Sequence, residues 1–276
     1  LVFNARYIGD VTAMNILIST LNARFSHASL ATRYLYANME EIQSQAEICE
    51  FTIQQDTDEI LTTVYEKNPK ILLLGVYIWN INETTKLVRE LKALMPELII
   101  VIGGPEVSHE YNDTAIFNTA DYLITGWGDI SAYELCRDIL AGNAPADKVI
   151  TGLQPKLEHI KMPYDYYTDF DIQHRTVYVE ASRGCPFKCE FCLSSLDKTA
   201  WTFPLDEFLA AMDRLYERGL RQFKFIDRTF NLKREFTVSI LNFFLDKLAQ
   251  NPEESLFLHF ELVPDFLPDE IKDLIL

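Results

Sequence analysis

The sequence predicts an α/β protein: a doubly wound parallel sheet followed by a second, shorter βα series forming a partial barrel. Three observations predict this. Short apolar runs alternate with helical periodicities through residues 14–142. The rhythm breaks over 143–175 and restarts at Thr176. Prolines and a glycine pair stand where the turns belong, at Pro69, Pro96 and Gly103-Gly104-Pro105.

The expected strands of the first series are Asn15–Thr20, Ile48–Ile53, Ile71–Tyr77, Leu98–Ile102 and Tyr122–Thr125. Helical patterns lie between them at Ser29–Gln43, Asp56–Glu66, Asn80–Leu94 and Asn112–Asn118, and a last helix covers Ser131–Leu140. Residues 143–175 read as a linker, because Pro145, Pro155 and Pro163 interrupt any period. The second series predicts strands at Thr176–Ala181, Phe223–Ile226 and Leu256–Leu262. Its helices are expected at Leu205–Glu217, at Arg234–Ala249 and from Asp269. Residues 1–13 are expected to be a disordered extension outside the fold. The pattern breaks off at Asp269–Leu276, which predicts a fragment of a longer protein.

The 276 residues carry a net charge of -16, so phosphate backbones and anionic lipid are poor partners. The strongest apolar run, Ile71–Trp79, is far short of the roughly 20 residues a membrane helix needs, and no basic, then apolar start suggests secretion. A cytoplasmic protein is expected. Of five cysteines, Cys49 and Cys136 stand alone, while Cys185, Cys189 and Cys192 fall within eight residues. That clustering points to a metal centre rather than a disulfide framework. Three thiolates suit zinc or an iron–sulfur cluster. Structural zinc normally takes four protein ligands, and no fourth cysteine is near. A zinc knuckle or a trio of reduced thiols is the plain alternative.

The loop Arg183-Gly184-Cys185-Pro186-Phe187-Lys188-Cys189-Glu190-Phe191-Cys192 follows the first strand of a βα series. This C-x-x-x-C-x-x-C pattern, with an aromatic residue before its last cysteine, resembles the radical S-adenosylmethionine (SAM) superfamily. The Arg-Gly-Cys-Pro start is similar to members that carry an N-terminal cobalamin (B12)-binding domain. The resemblance implies a partial radical SAM (β/α) barrel and a [4Fe–4S] cluster held by Cys185, Cys189 and Cys192. SAM would chelate the fourth iron, and its reductive cleavage would give a 5′-deoxyadenosyl radical that takes hydrogen from an unknown small-molecule substrate. It also implies an electron donor such as flavodoxin or ferredoxin. Phe191 would pack on the adenine. Asp227 and Glu261, at the ends of the next two strands, would take the SAM amino group and ribose. Around Asp197–Trp201 the sequence departs from the family: Lys198 stands near the usual basic position, and Trp201 is the competing occupant of it.

The first series then resembles a flavodoxin-like cobalamin-binding domain. Gly103 and Gly104 match its fourth-strand turn, and Gly126 its fifth, with Trp127 a departure. Asn22 and His27, after the first strand, would flank the crevice. The D-x-H-x-x-G motif that supplies a histidine to cobalt is absent. An empty crevice is the alternative. The functional expectation is a cobalamin-linked radical SAM enzyme performing methyl transfer or rearrangement. Methylthiotransferases fit poorly, because their second cluster needs three N-terminal cysteines. A non-catalytic fragment or a zinc-binding protein is the alternative from another class.

Overall fold

A computed structural model describes residues 14–192 and 199–275. The 1–13 extension and Lys198 lie outside the described residues. The chain divides into two compact units. The first contains Asn38–Leu153 with the segment ending at Ala23, and the second contains Arg24–Ala37 with the chain from Gln154 onward.

The first unit is a parallel sheet of β1 (Ile16–Asn22), β2 (Ala46–Thr52), β3 (Ile71–Gly75), β4 (Ile99–Gly103), β5 (Tyr122–Thr125) and β6 (Val149–Thr151). Its order is β2-β1-β3-β4-β5-β6. All seven residues of β1 are buried, which is why its sequence is apolar without alternation. Leu17, Leu72, Ile100 and Leu123 meet Ile60, Val64, Leu87, Val88 and Leu91 in one core. The last five belong to α2 (Thr57–Lys67) and α3 (Ile81–Leu94). Asp56 caps α2 by accepting from the Asp58 amide at 2.8 Å, and Asn68 ends it in the left-handed region at φ 44°.

Three features differ from the sequence reading. The five expected strands are present, and β6, three residues inside the presumed linker, makes a sixth. The pattern Ser29–Gln43 is not one helix. It is α1 (Leu30–Ala37), then a 3-10 segment over Glu40–Gln45, with Glu40 at φ 42° interrupting the α geometry. And α1 belongs to the second unit.

That unit has a parallel sheet of order β11-β10-β7, from β7 (Val177–Val179), β10 (Gln222–Phe225) and β11 (Phe257–His259). Val177, Val179, Phe223 and Phe225 are buried on one face with Phe208 and Met212 of α7 (Leu205–Glu217) and Phe244 of α8 (Arg234–Gln250). Residues 26–28 run beside β7: the Thr176 amide donates to the Ser26 carbonyl at 2.7 Å. Tyr164 and Tyr167, in the presumed linker, are fully buried core residues of this unit. Their hydroxyls donate to the carbonyls of Glu180 and Tyr178, each at 2.9 Å. No helix among the described residues is long and apolar enough to cross a membrane.

Candidate functional sites

In the first unit the strand order reverses at β1, so the carboxyl ends of β1 and β3 flank the position where such sheets bind ligands. Asn80 fixes that position. Its buried side chain accepts from the Tyr77 amide at 2.8 Å and donates to the Leu21 carbonyl at 2.9 Å, joining the two strand ends. Thr20 adds a bond from its hydroxyl to the Gly75 carbonyl at 2.9 Å. Between these anchors the chain carries an exposed apolar turn, with Ile78 75% and Trp79 46% exposed. Trp79 stacks on Tyr77, centroids 4.5 Å apart and planes 6° apart. Burial pushes the Tyr77 hydroxyl up to about 12.

Gly104 has φ 115°, and a Cβ there would collide with the Val76 carbonyl oxygen, so only glycine fits. Gly126, at φ 68°, has open space where a Cβ would stand. Ser108 links the two turns: its hydroxyl donates to the Gly104 carbonyl at 2.8 Å and accepts from the Gly126 amide at 3.1 Å. Asn22 is buried and donates to Glu50 at 3.1 Å. Gly104, tight against Val76, and the Tyr77–Trp79 turn thus stand at neighbouring strand ends of the switch point. In the sequence Asn80 reads as a helix start and as part of the Tyr77–Asn80 loop flanking the switch point, while Ser108 carries no signal. His27, grouped with these residues in the sequence, lies in the second unit, where its Nδ1 is 2.6 Å from the Tyr178 hydroxyl.

The cysteine loop leaves β7 as expected, but an antiparallel hairpin closes its base, β8 (Ser182–Gly184) against β9 (Ala200–Thr202). Gly184, at φ 89°, lets the Thr199 carbonyl approach where a Cβ would clash. Arg183 pins the hairpin. Its Nε donates to Glu180 at 2.9 Å, and its guanidinium lies 4.6 Å over the Tyr34 ring and 5.7 Å from the Phe203 ring. Trp201 pairs with Arg183 across the ladder.

Cys185 is buried with its Sγ 3.6 Å from the Thr229 hydroxyl, Cys189 is exposed, and Cys192 is half-buried with its amide bonded to the Cys189 carbonyl at 3.0 Å. Phe191 is 94% exposed. Among the described residues no three His, Cys, Asp or Glu side chains converge as a metal-binding group. The chemistry of the donor set, three thiols on one anchored loop, still fits a soft metal centre.

Glu261 is exposed, and its carbonyl accepts from the Phe230 amide at 2.9 Å. Asp227 is 2% exposed and turned to the protein. It accepts from the Ala181 amide at 3.0 Å and from the Ser182 hydroxyl at 2.5 Å. Asp227 therefore positions the start of the cysteine loop. Burial raises its carboxyl to about 6, against which these hydrogen bonds pull downward. Its folded pKa stands above the unfolded value near 4, so its contribution to stability is complete below about pH 4 and lost as pH rises through about 6. The loss by pH 7 is about 3 kcal/mol. In Asp227→Asn the amide donates to Ser182 instead. Wild type should lose melting temperature between pH 4.5 and 7 more steeply than the variant, and parallel profiles would refute this account.

Residues 16–135 match the B12 binding domain family. Among curated proteins, 2-(S-pantetheinyl)-carbapenam-3-carboxylate methyltransferase of Streptantibioticus cattleyicolor is 27% identical over 152 residues, 45% of this chain and 22% of that protein. The tRNA-2-methylthio-N(6)-dimethylallyladenosine synthase of Pseudomonas fluorescens is 26% identical over 150 residues, 54% of this chain and 33% of that protein. These matches thus span a fifth to a third of the relatives' lengths. Among solved structures, the radical SAM methyltransferase TsrM of Kitasatospora setae, with cobalamin and a [4Fe-4S] cluster bound, has a TM-score of 0.73 at 16% identity. It covers 96% of this chain and 57% of TsrM. The cobalamin-dependent SAM radical enzyme OxsB, with aqua-cobalamin bound, has a TM-score of 0.69 at 13% identity, covering 96% of this chain and 42% of OxsB.

Proposed function

We propose, from a chain whose residues 16–135 match the B12 binding domain family and whose fold resembles that of the cobalamin-dependent radical SAM enzymes, that it is the cofactor-binding part of a cobalamin-linked radical SAM enzyme. The observation that carries this is the presence in one chain of a sheet switch point, with Gly103 and Gly104 at the end of the next strand, and of a three-cysteine loop. Methyl transfer is favoured over rearrangement because related proteins of this architecture are named methyltransferases.

In this reading Cys185, Cys189 and Cys192 hold a [4Fe-4S] cluster and leave one iron for SAM. When bound, the cluster and SAM supply one-electron carbon–sulfur cleavage, and cobalamin supplies a carrier for the methyl group. The protein's share is placement. The hairpin fixes both ends of the loop, Asp227 fixes its first strand, and Thr229 stands beside Cys185. Phe191, exposed before the last cysteine, offers a ring for the SAM adenine, and Glu261 an acceptor for its polar groups. Gly103, Gly104 and Gly126 admit cobalamin to the backbone, and Trp79 offers it an apolar floor. With no D-x-H-x-x-G motif, cobalt receives no histidine from that source. A small electron-transfer protein of flavodoxin or ferredoxin type supplies the reductant.

Anaerobic reconstitution with iron and sulfide tests the reading. A brown species whose reduced EPR signal shifts on adding SAM is expected, together with hydroxocobalamin that co-elutes with the protein in gel filtration. Tightly bound zinc with no iron uptake would replace the proposal with the zinc-binding alternative.

A further inference from the structure

The second unit's sheet has a second face. Val177, Val179, Phe223 and Phe225 point into the core, so the residues between them face the other way. In register across the strands these are Tyr178 on β7, Lys224 on β10 and His259 on β11. His27 joins the row through its 2.6 Å contact with the Tyr178 hydroxyl. Lys224 Nζ lies 5.5 Å from the Tyr178 ring centroid.

The row is chemically unusual for this protein. The chain has 41 acidic and 25 basic residues, so cations find carboxylates easily. In this unit Arg175, Arg183, Arg221 and Lys247 all do. Lys224 does not: among the described residues it has no ion pair, although it is part-buried in the central strand. A mid-strand lysine is poorly favoured by β propensity, and its partial desolvation has no protein counter-charge to offset it. The surroundings are positive as well. His27 is held below its ordinary pKa by burial and then by Lys224, Arg24 and Arg175. It is therefore neutral at pH 7. The 2.6 Å contact between Nδ1 and the Tyr178 hydroxyl fixes the orientation of the ring. The carboxylates just past these strand ends are Glu180, taken by Arg183, Asp227, taken by the Ala181 amide and the Ser182 hydroxyl, and Glu261.

We infer that Tyr178, Lys224, His259 and His27 form an anion-binding subsite that anchors a carboxylate or phosphate group. Lys224 supplies the charge, the imidazoles supply directed hydrogen bonds, and Tyr178 orients the His27 ring. Its service as a substrate anchor rests on the radical SAM reading. Anion binding does not, and it is measured on the chain without cluster or SAM.

The test follows the imidazole proton resonances of His27 and His259, assigned by single His→Gln variants, while inorganic phosphate or acetate is added at constant ionic strength. Saturable shifts of both residues in the millimolar range are expected, with His109, His159 and His174 unmoved. Saturation by phosphate alone identifies a phosphate anchor, and saturation by acetate alone a carboxylate anchor. Lys224→Gln should weaken binding at least about tenfold, and Lys224→Arg should restore it, because the loss is of one charge-assisted contact. Shifts that are linear with either anion, or equal affinity in Lys224→Gln, overturn the subsite. Failure of iron–sulfur reconstitution leaves these shifts unchanged, so the two readings fail separately.

Discussion

Replacing Cys189 by alanine is expected to reduce iron bound after anaerobic reconstitution to background while leaving the melting temperature of the apoprotein unchanged. The two parts of the expectation have different causes. A cluster held at three corners by thiolates keeps only two on losing one, too few to hold it against competing thiols in solution. The apoprotein is indifferent because Cys189 is exposed, so removing its thiol opens no buried cavity. Cys136 is the control. It is fully buried on α5 (Asp129–Leu140), and burial pushes its thiol up to about 12, which leaves it inert. Cys136→Ala should therefore lower stability by about 1–2 kcal/mol and leave iron content intact. Iron and absorbance measured in parallel with thermal unfolding separate the two variants. Full iron content in Cys189→Ala would end the ligand assignment.

The grouping of the cysteines was legible in the sequence, because three close cysteines and two scattered ones differ in spacing alone. So were the buried strands β1, β3 and β4, whose apolar runs admit little else. Less was legible where local pattern and tertiary partner part company. Val149–Thr151 is too short for any period, and becomes β6 only because β5 offers an open edge. Ser182–Gly184 and Ala200–Thr202 pair across a loop far longer than a hairpin turn, so no turn signature announces them. Asp227 was placed correctly at a strand end, but which way its carboxylate turns depends on the Ala181 amide and Ser182 hydroxyl, 45 residues or more away in sequence. Tyr164 and Tyr167 looked like linker residues because their period is irregular, yet an irregular segment buries rings when backbone carbonyls satisfy the hydroxyls.

The allegiance of α1 is the largest of these surprises, and it carries the second prediction. Arg33→Ala is expected to destabilise the second unit by about 3–5 kcal/mol. Arg33 and Asp171 meet at 2.8 Å with each side chain only 4% exposed. Asp171 is saturated: it also accepts from the Thr168 amide and hydroxyl, at 2.9 and 2.8 Å, and from Arg175 at 3.0 Å. Burial draws its carboxyl upward, and attraction to Arg33 with the Thr168 and Arg175 bonds more than offsets this, leaving it below the ordinary range. Removing Arg33 strips the largest of those attractions from a charge that stays buried. It also removes a bond to the Ser29 carbonyl at 2.7 Å and a guanidinium 4.5 Å over the Tyr167 ring. Stability lost in this way grows as pH rises, because the depressed carboxyl contributes above its unfolded pKa and its contribution disappears as pH falls through the folded value. Arg33→Ala should therefore differ most from wild type near neutral pH and approach it in acid. A double-mutant cycle with Asp171→Asn, read by denaturant unfolding at two pH values, isolates the pair. A coupling near zero at pH 7 would mean that α1 is held by its apolar face alone.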